Sequence, residues 1–175
     1  MAAKASQFVA VICTAIALLP DGAHLMALSA KIDMPEQPYF IAQQIYRGWA
    51  WAGIAIFAAI FANFASAILA RAHPKQFWLS LAAGLLVAAT LAVFFAWIYP
   101  ENQVTGNWTS VPDGWEQLRA QWEYSHVVNA AITFVALLCS VGAALSTDAP
   151  APAARHTLAA EGSRGTAEHA RPGRG

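Results

Sequence analysis

Charge is what this sequence has least of. Ten basic and ten acidic residues make up 11% of its 175 positions, where a soluble domain carries about 25%. The two signs cancel, so there is no basic surplus with which to hold nucleic acid. Cysteine is scarcer still: Cys13 and Cys139 both lie inside apolar runs and read as small packing residues. No haem-attachment motif and no internal repeat occurs. Two of the apolar runs contain no Asp or Glu at all, which argues against a dinuclear carboxylate centre fed by every helix of a bundle.

Apolar residues fill the space that charge leaves, at 58% of the chain. Four stretches are long enough to cross about 30 Å of hydrocarbon, which takes roughly 20 helical residues. They cover residues 7–30, 45–70, 77–99 and 122–146. The expected fold is all-α, an antiparallel four-helix transmembrane bundle over residues 1–146. Residues 147–175 are rich in Ala, Pro, Gly, Arg and Ser without apolar periodicity, and read as a disordered tail. The first stretch is the least regular, because Pro20, Asp21, Gly22 and His24 interrupt it. Lys4, the run 8–19 and the small residues 27–29 fit the parts of a signal peptide. Met26 and Leu28 keep the stretch apolar enough to finish a span, which favours retention.

Short-loop cations set the orientation. Lys4, Arg71, Lys75 and the tail arginines Arg155, Arg164, Arg171 and Arg174 fall on one side. The two other loops offset Lys31, Arg47 and Arg119 with Asp33, Glu36, Glu101, Asp113 and Glu116. Both termini and the 71–75 turn are therefore expected in the cytoplasm of a bacterial cell, with the bundle in the inner membrane and the lipid bilayer as its partner. Trp49, Trp51, Trp97, Tyr99, Trp115, Trp122 and Tyr124 then form a belt near the outer surface. Asp113, followed by Glu116 three residues on, reads as the N-cap of a fourth helix that starts outside the membrane near Gly114. Asn107-Trp108-Thr109 matches a glycosylation sequon, read here as coincidence in a bacterial chain.

Against this background the polar residues inside the spans stand out. An ionisable group there costs roughly 2.5–3.5 kcal/mol on insertion scales, so it faces the bundle interior and takes a partner. Asp21 and His24 are three residues apart on the first helix, as are Glu123 and His126 on the fourth, which puts each pair on one face. Arg119, Glu123, His126, Asn129 and Thr133 form one polar stripe. At the helical rise, His24 lies about 10 Å and His126 about 6 Å inside the outer surface. Tyr46 and Arg47 enter the second helix at that same end, so polar groups of three helices converge in the outer half. Asn63 and Ser66, deeper in the second helix, read as isolated packing hydrogen bonds.

This convergence supports two readings. In one, His24 or His126 is a general base oriented by Asp21 or Glu123. Arg47, Arg119, Tyr46 and Asn129 then surround a small aromatic ligand. No cofactor is required, and a single metal ion on His24, His126 and Glu123 is the alternative. In the other reading the same groups form a packing network, with Arg47 or Arg119 paired to Glu123 or Asp21.

Several segments carry a resemblance. They are Gly22-Ala23-His24, Lys31-Ile32, Tyr39, residues 43–48 (QQIYRG), residues 100–103 (PENQ) and residues 115–126 (WEQLRAQWEYSH). The chain resembles the anthrone-oxygenase-like family of four-helix membrane proteins, in its bacterial branch, over about residues 7–146. The most specific piece is Leu118-Arg119-x-x-Trp122-Glu123-x-x-His126. The resemblance implies a four-helix membrane fold and makes Arg119, Glu123 and His126 the signature residues. Fungal members of the family oxidise anthrones to anthraquinones with molecular oxygen and no known cofactor.

The orientation is directly testable. Ser110→Cys is expected to react with a membrane-impermeant thiol reagent in intact cells, and Ser163→Cys only after permeabilisation. Labelling of position 163 in intact cells would invert the topology.

Overall fold

The computed structural model describes residues 2–146; Met1 and the expected tail at 147–175 lie outside the described residues. Among these residues the chain is helical without strands. The first helix, α1 (Ala2–Lys31), runs longer at both ends than the apolar stretch that announced it. It passes through Pro20, which offers no N–H to the carbonyl of Ile16 four residues back. A short helix, α2 (Glu36–Gln43), follows outside the span.

The second span starts later than its apolar run. Residues Gln44–Tyr46 and Trp49–Ala52 form two 3₁₀ turns, separated by Gly48 at φ 87°, and only Gly53–Leu69 is α-helix (α3). That left-handed backbone is open to glycine at little cost and breaks the helix. Tyr46 and Arg47 therefore belong to a connector, not to the second helix as expected.

The third span is a continuous rod. α4 (Pro74–Val93) starts with Pro74, whose missing N–H is harmless in a first turn. It passes through a π turn at Phe94–Ile98 into α5 (Tyr99–Val104). Pro100 can give no N–H to Ala96, so the wider turn sits where that bond would have been. The last helix, α6 (Trp115–Leu145), begins beside Gly114 as expected, but Asp113 does not cap it. The capping position is Gly114 at φ 73°, with no side-chain bond to the first turn.

Helices α1, α3, α4 and α6 pack in a ring, each against two neighbours. Side-chain bonds fix their directions. Ser6 near the start of α1 meets Ser66 near the end of α3, and Gln76 at the start of α4 reaches the Ser146 carbonyl beyond α6. Asp21 in the second half of α1 meets His126 in the first half of α6. Neighbours are thus antiparallel, while the diagonal α1 and α4 run the same way, joined by Gln7 and Gln76 at 3.1 Å. Residues 2–31, 49–69, 74–104 and 115–145 are each long and apolar enough to cross a membrane, which fits a multi-pass membrane protein. Phe8, Leu19, Met26, Phe61, Trp78 and Leu138 point outward, as a lipid-facing surface requires.

The half of the bundle nearer the start of α1 and the end of α6, inner in the expected orientation, closes on small residues. Ala17, Ala59, Ala83, Val87 and Ala136 form its buried centre, with Cys13 and Cys139 packed beside it as free thiols. Small side chains let helix backbones approach, which is how bundles gain contact in lipid. One polar residue ties three helices there. Asn63 on α3 donates to Thr14 on α1 at 2.9 Å and accepts from Ser140 on α6 at 2.7 Å. It is a hub where an isolated bond was expected. Asn63→Ala is expected to lower stability in detergent by about 1–2 kcal/mol. Adding Ser140→Ala should cost little more, because both changes remove one interaction. Additive losses in thermal unfolding would show two independent contacts.

Candidate functional site

The outer half is built around one carboxylate. Glu123 on α6 is fully enclosed, and its Oε1 lies 2.8 Å from the Lys31 ammonium at the end of α1. Tyr39 of α2 donates its hydroxyl to the same oxygen at 3.0 Å. Gln43, one turn further along α2, donates to it at 3.5 Å and also bonds the Tyr39 hydroxyl. Burial, and the carboxylate beside it, push the Tyr39 phenol above its ordinary range, so it stays protonated and donates. A lone carboxylate this deep would cost several kcal/mol; a cation and two donors offset that cost.

The Lys31 ammonium also approaches His24 Nδ1, at 3.4 Å. It lies over the rings of Tyr46 and Trp122, 4.6 and 5.4 Å from their centroids. Cations gain from the electron-rich face of an aromatic ring, most of all when desolvated. Lys31 is 4% exposed. Read as a loop charge in the sequence, it is in fact the central cation of the site.

The two histidines stand face to face. Their ring centroids are 4.0 Å apart with 21° between planes. Trp122 meets both rings edge-on, at 4.8 Å from His24 and 4.4 Å from His126. Tyr46 closes the other side of His24 at 4.2 Å. His126 Nδ1 lies 2.7 Å from Asp21 Oδ1. Its other nitrogen, Nε2, is buried and has no hydrogen-bond partner among the described residues. Glu123 Oε2 and Asn129 Oδ1 share that condition.

The predicted site residues divide accordingly. Asp21, His24, Glu123, His126 and Tyr46 come together. Asn129 sits deeper, donating to the Thr90 carbonyl at 3.3 Å. The arginines take other roles than expected, and neither pairs with Glu123 or Asp21. Arg119 donates to the Met34 carbonyl at 2.6 Å and lies 4.7 Å from the Trp115 ring centre, which pins the loop between α1 and α2. Arg47 is exposed, bonded to Gln44, and lines an outer groove of about 480 Å³ with Glu36, Phe40 and Trp108. The physical reason is reach: Lys31 ends α1 within 2.8 Å of Glu123, while Arg47 lies in the exposed connector just before Gly48. Among the described residues no three of His, Cys, Asp and Glu are grouped to hold a metal ion.

Sequence reasoning cited Lys31, Tyr39 and Gln43 only for the resemblance and did not place them in the site. All three lie at or beyond the end of the first span, and the sign that could have found two of them is their spacing: Tyr39 and Gln43 are one helical turn apart. An aromatic lid completes the enclosure. Tyr39, Trp108, Trp115 and Trp122 pack as one buried cluster. Trp108 holds a left-handed backbone at φ 64°, with its N–H on Thr105 Oγ1 at 3.0 Å. Trp122 Nε1 donates to Asn102 of α5 at 2.9 Å, which holds the ring against the histidines.

Because the Lys31–Glu123 pair is desolvated, removing one partner is worse than removing both. Lys31→Met and Glu123→Leu are each expected to cost about 3–5 kcal/mol. The double variant should recover most of that loss in thermal unfolding. A double variant as unstable as the sum of the singles would mean that the charges do not depend on each other. Compared with known proteins, the chain matches no family model, no curated protein and no solved structure, so a functional reading has to start from this geometry.

Proposed function

We propose that this protein is a membrane-embedded enzyme of the oxidoreductase type. It removes a proton from a phenol or an activated methylene of a small aromatic molecule and passes the resulting anion to molecular oxygen. One observation carries the reading: His126 has Nδ1 held by Asp21 while Nε2 is buried and unpartnered. A carboxylate that binds one imidazole nitrogen orients the ring and leaves the other as a proton acceptor. A buried acceptor without a partner costs about 1–3 kcal/mol, and a substrate donor would recover it. The surrounding rings of His24, Tyr46 and Trp122 suit a flat aromatic guest. Lys31, and not Arg47 or Arg119, is the cation beside the stacked rings, 3.4 Å from His24 Nδ1.

The resemblance to anthrone-oxygenase-like proteins supports the substrate class. In that chemistry a ring CH₂ and O₂ become a carbonyl and water, so atoms and electrons balance without a further reductant. The competing reading, a packing network in a non-catalytic membrane protein, draws on the enclosure of His24, which is 3% exposed and bonded to Lys31.

Oxygen uptake by the purified protein with an anthrone separates the two. The wild type is expected to consume oxygen, and His126→Gln to lose that activity while keeping its fold. Asp21→Asn should lower the rate by about 10²–10⁴, the usual contribution of general base catalysis. No uptake by the wild type, with His126→Gln costing only about 1 kcal/mol of stability, would favour the packing network.

A further inference from the structure

The two stacked histidines have opposite partners at the same ring position. His24 Nδ1 faces the Lys31 ammonium, which can only donate. His126 Nδ1 faces the Asp21 carboxylate, which when ionised can only accept. Each partner therefore selects a different tautomer. On these contacts a neutral His24 would carry its proton on Nε2, and a neutral His126 on Nδ1.

We propose that Lys31 and Asp21 set the stacked pair in opposite tautomers, so that His24 Nε2–H is the hydrogen-bond donor and His126 Nε2 the proton acceptor of one ligand-binding site. Resting on the enzymatic reading above, this assignment divides proton transfer from an aromatic carbonyl substrate between the two rings. In the step itself the C–H or O–H bond breaks and its proton forms the N–H bond at His126 Nε2. The electron pair stays on the substrate and delocalises to the carbonyl oxygen, which accepts from His24 Nε2–H. The ring centroids are 4.0 Å apart, so the two ε nitrogens belong to one cluster. A matched pair of tautomers would offer two donors or two acceptors and could not serve both ends of that transfer.

Lys31 acts here as a positioning residue. It is held in turn by Glu123, Tyr39 and Gln43, since Glu123 Oε1 anchors the ammonium and the α2 side chains anchor Glu123. That gives α2, whose Tyr39 and Gln43 bond Glu123, a role in the chemistry.

Nitrogen NMR of ¹⁵N-histidine-labelled protein in nanodiscs reads the tautomers without turnover. Single His24→Gln and His126→Gln variants assign the two rings among the five histidines of the chain. The expected spectrum has His24 protonated at Nε2 and His126 at Nδ1. In Lys31→Met/Glu123→Gln, which removes the ion pair as a unit, His24 should lose its single tautomer and His126 should keep its own. Wild-type rings sharing one tautomer, a doubly protonated His24, or a His24 signal unchanged by loss of Lys31 would each overturn the proposal. Such a result would leave the Asp21–His126 base standing, and absent oxygen uptake would leave the tautomers standing.

Discussion

A carboxylate with no access to water dictates the outer half of this molecule. Glu123 sits on α6 among helices that have almost nothing else to offer a negative charge. Its neutralisation requires the end of α1 to bring Lys31 inward, and α2 to fold back so that Tyr39 and Gln43 can reach it. Once α2 is there, the Tyr39 ring meets Trp108 edge-on and Trp115 at a tilt, and Trp108 brings the loop after α5 over the site. The lid, the connector and the position of the first helix all follow from one buried charge.

The two halves of the bundle solve different problems. The inner half must bring backbones together, and does so with alanines and a single amide hub at Asn63. The outer half must hold aromatic rings and ions, and spends large residues to do it. The first arrangement is fully satisfied at Asn63, whose amide nitrogen and oxygen both have partners. The second leaves acceptors without partners at His126, Glu123 and Asn129. Gln43, Glu101, Trp108 and Arg119 in the same half also keep a buried polar atom without a partner among the described residues, so polar groups there are less completely satisfied than those around Asn63.

The spans could be read from composition because a helix in lipid must satisfy its backbone internally and cover it with apolar side chains. The Glu123-x-x-His126 spacing revealed a shared face for the same geometric reason. What could not be read was the folding back of α2. Lys31 and Tyr39 occupy positions where charge and phenol are normally solvated at the membrane boundary, and only tertiary packing buries them. The same preference for solvated boundaries led to the arginines: Arg119 does enter the interior, but it caps the Met34 carbonyl. The break at Gly48 and the left-handed start at Gly114 depend on backbone conformations that apolar periodicity does not record.

The π turn at Phe94–Ile98 carries one residue more than an α-helix would use over the same rise. That extra residue resets the angular phase of everything beyond it, by about 100° at 3.6 residues per turn. It is what aims Asn102 at the Trp122 indole, and Glu101 at Gln121 across the groove. The rod thus works like a vernier, with its inner part in phase with the alanine seam and its outer part in phase with the aromatic lid. A one-residue deletion within 94–98 would leave the length and hydrophobicity of the span almost untouched. It would nonetheless turn the outer segment away from α6, so the packing depends more on the spacing of this segment than on its composition.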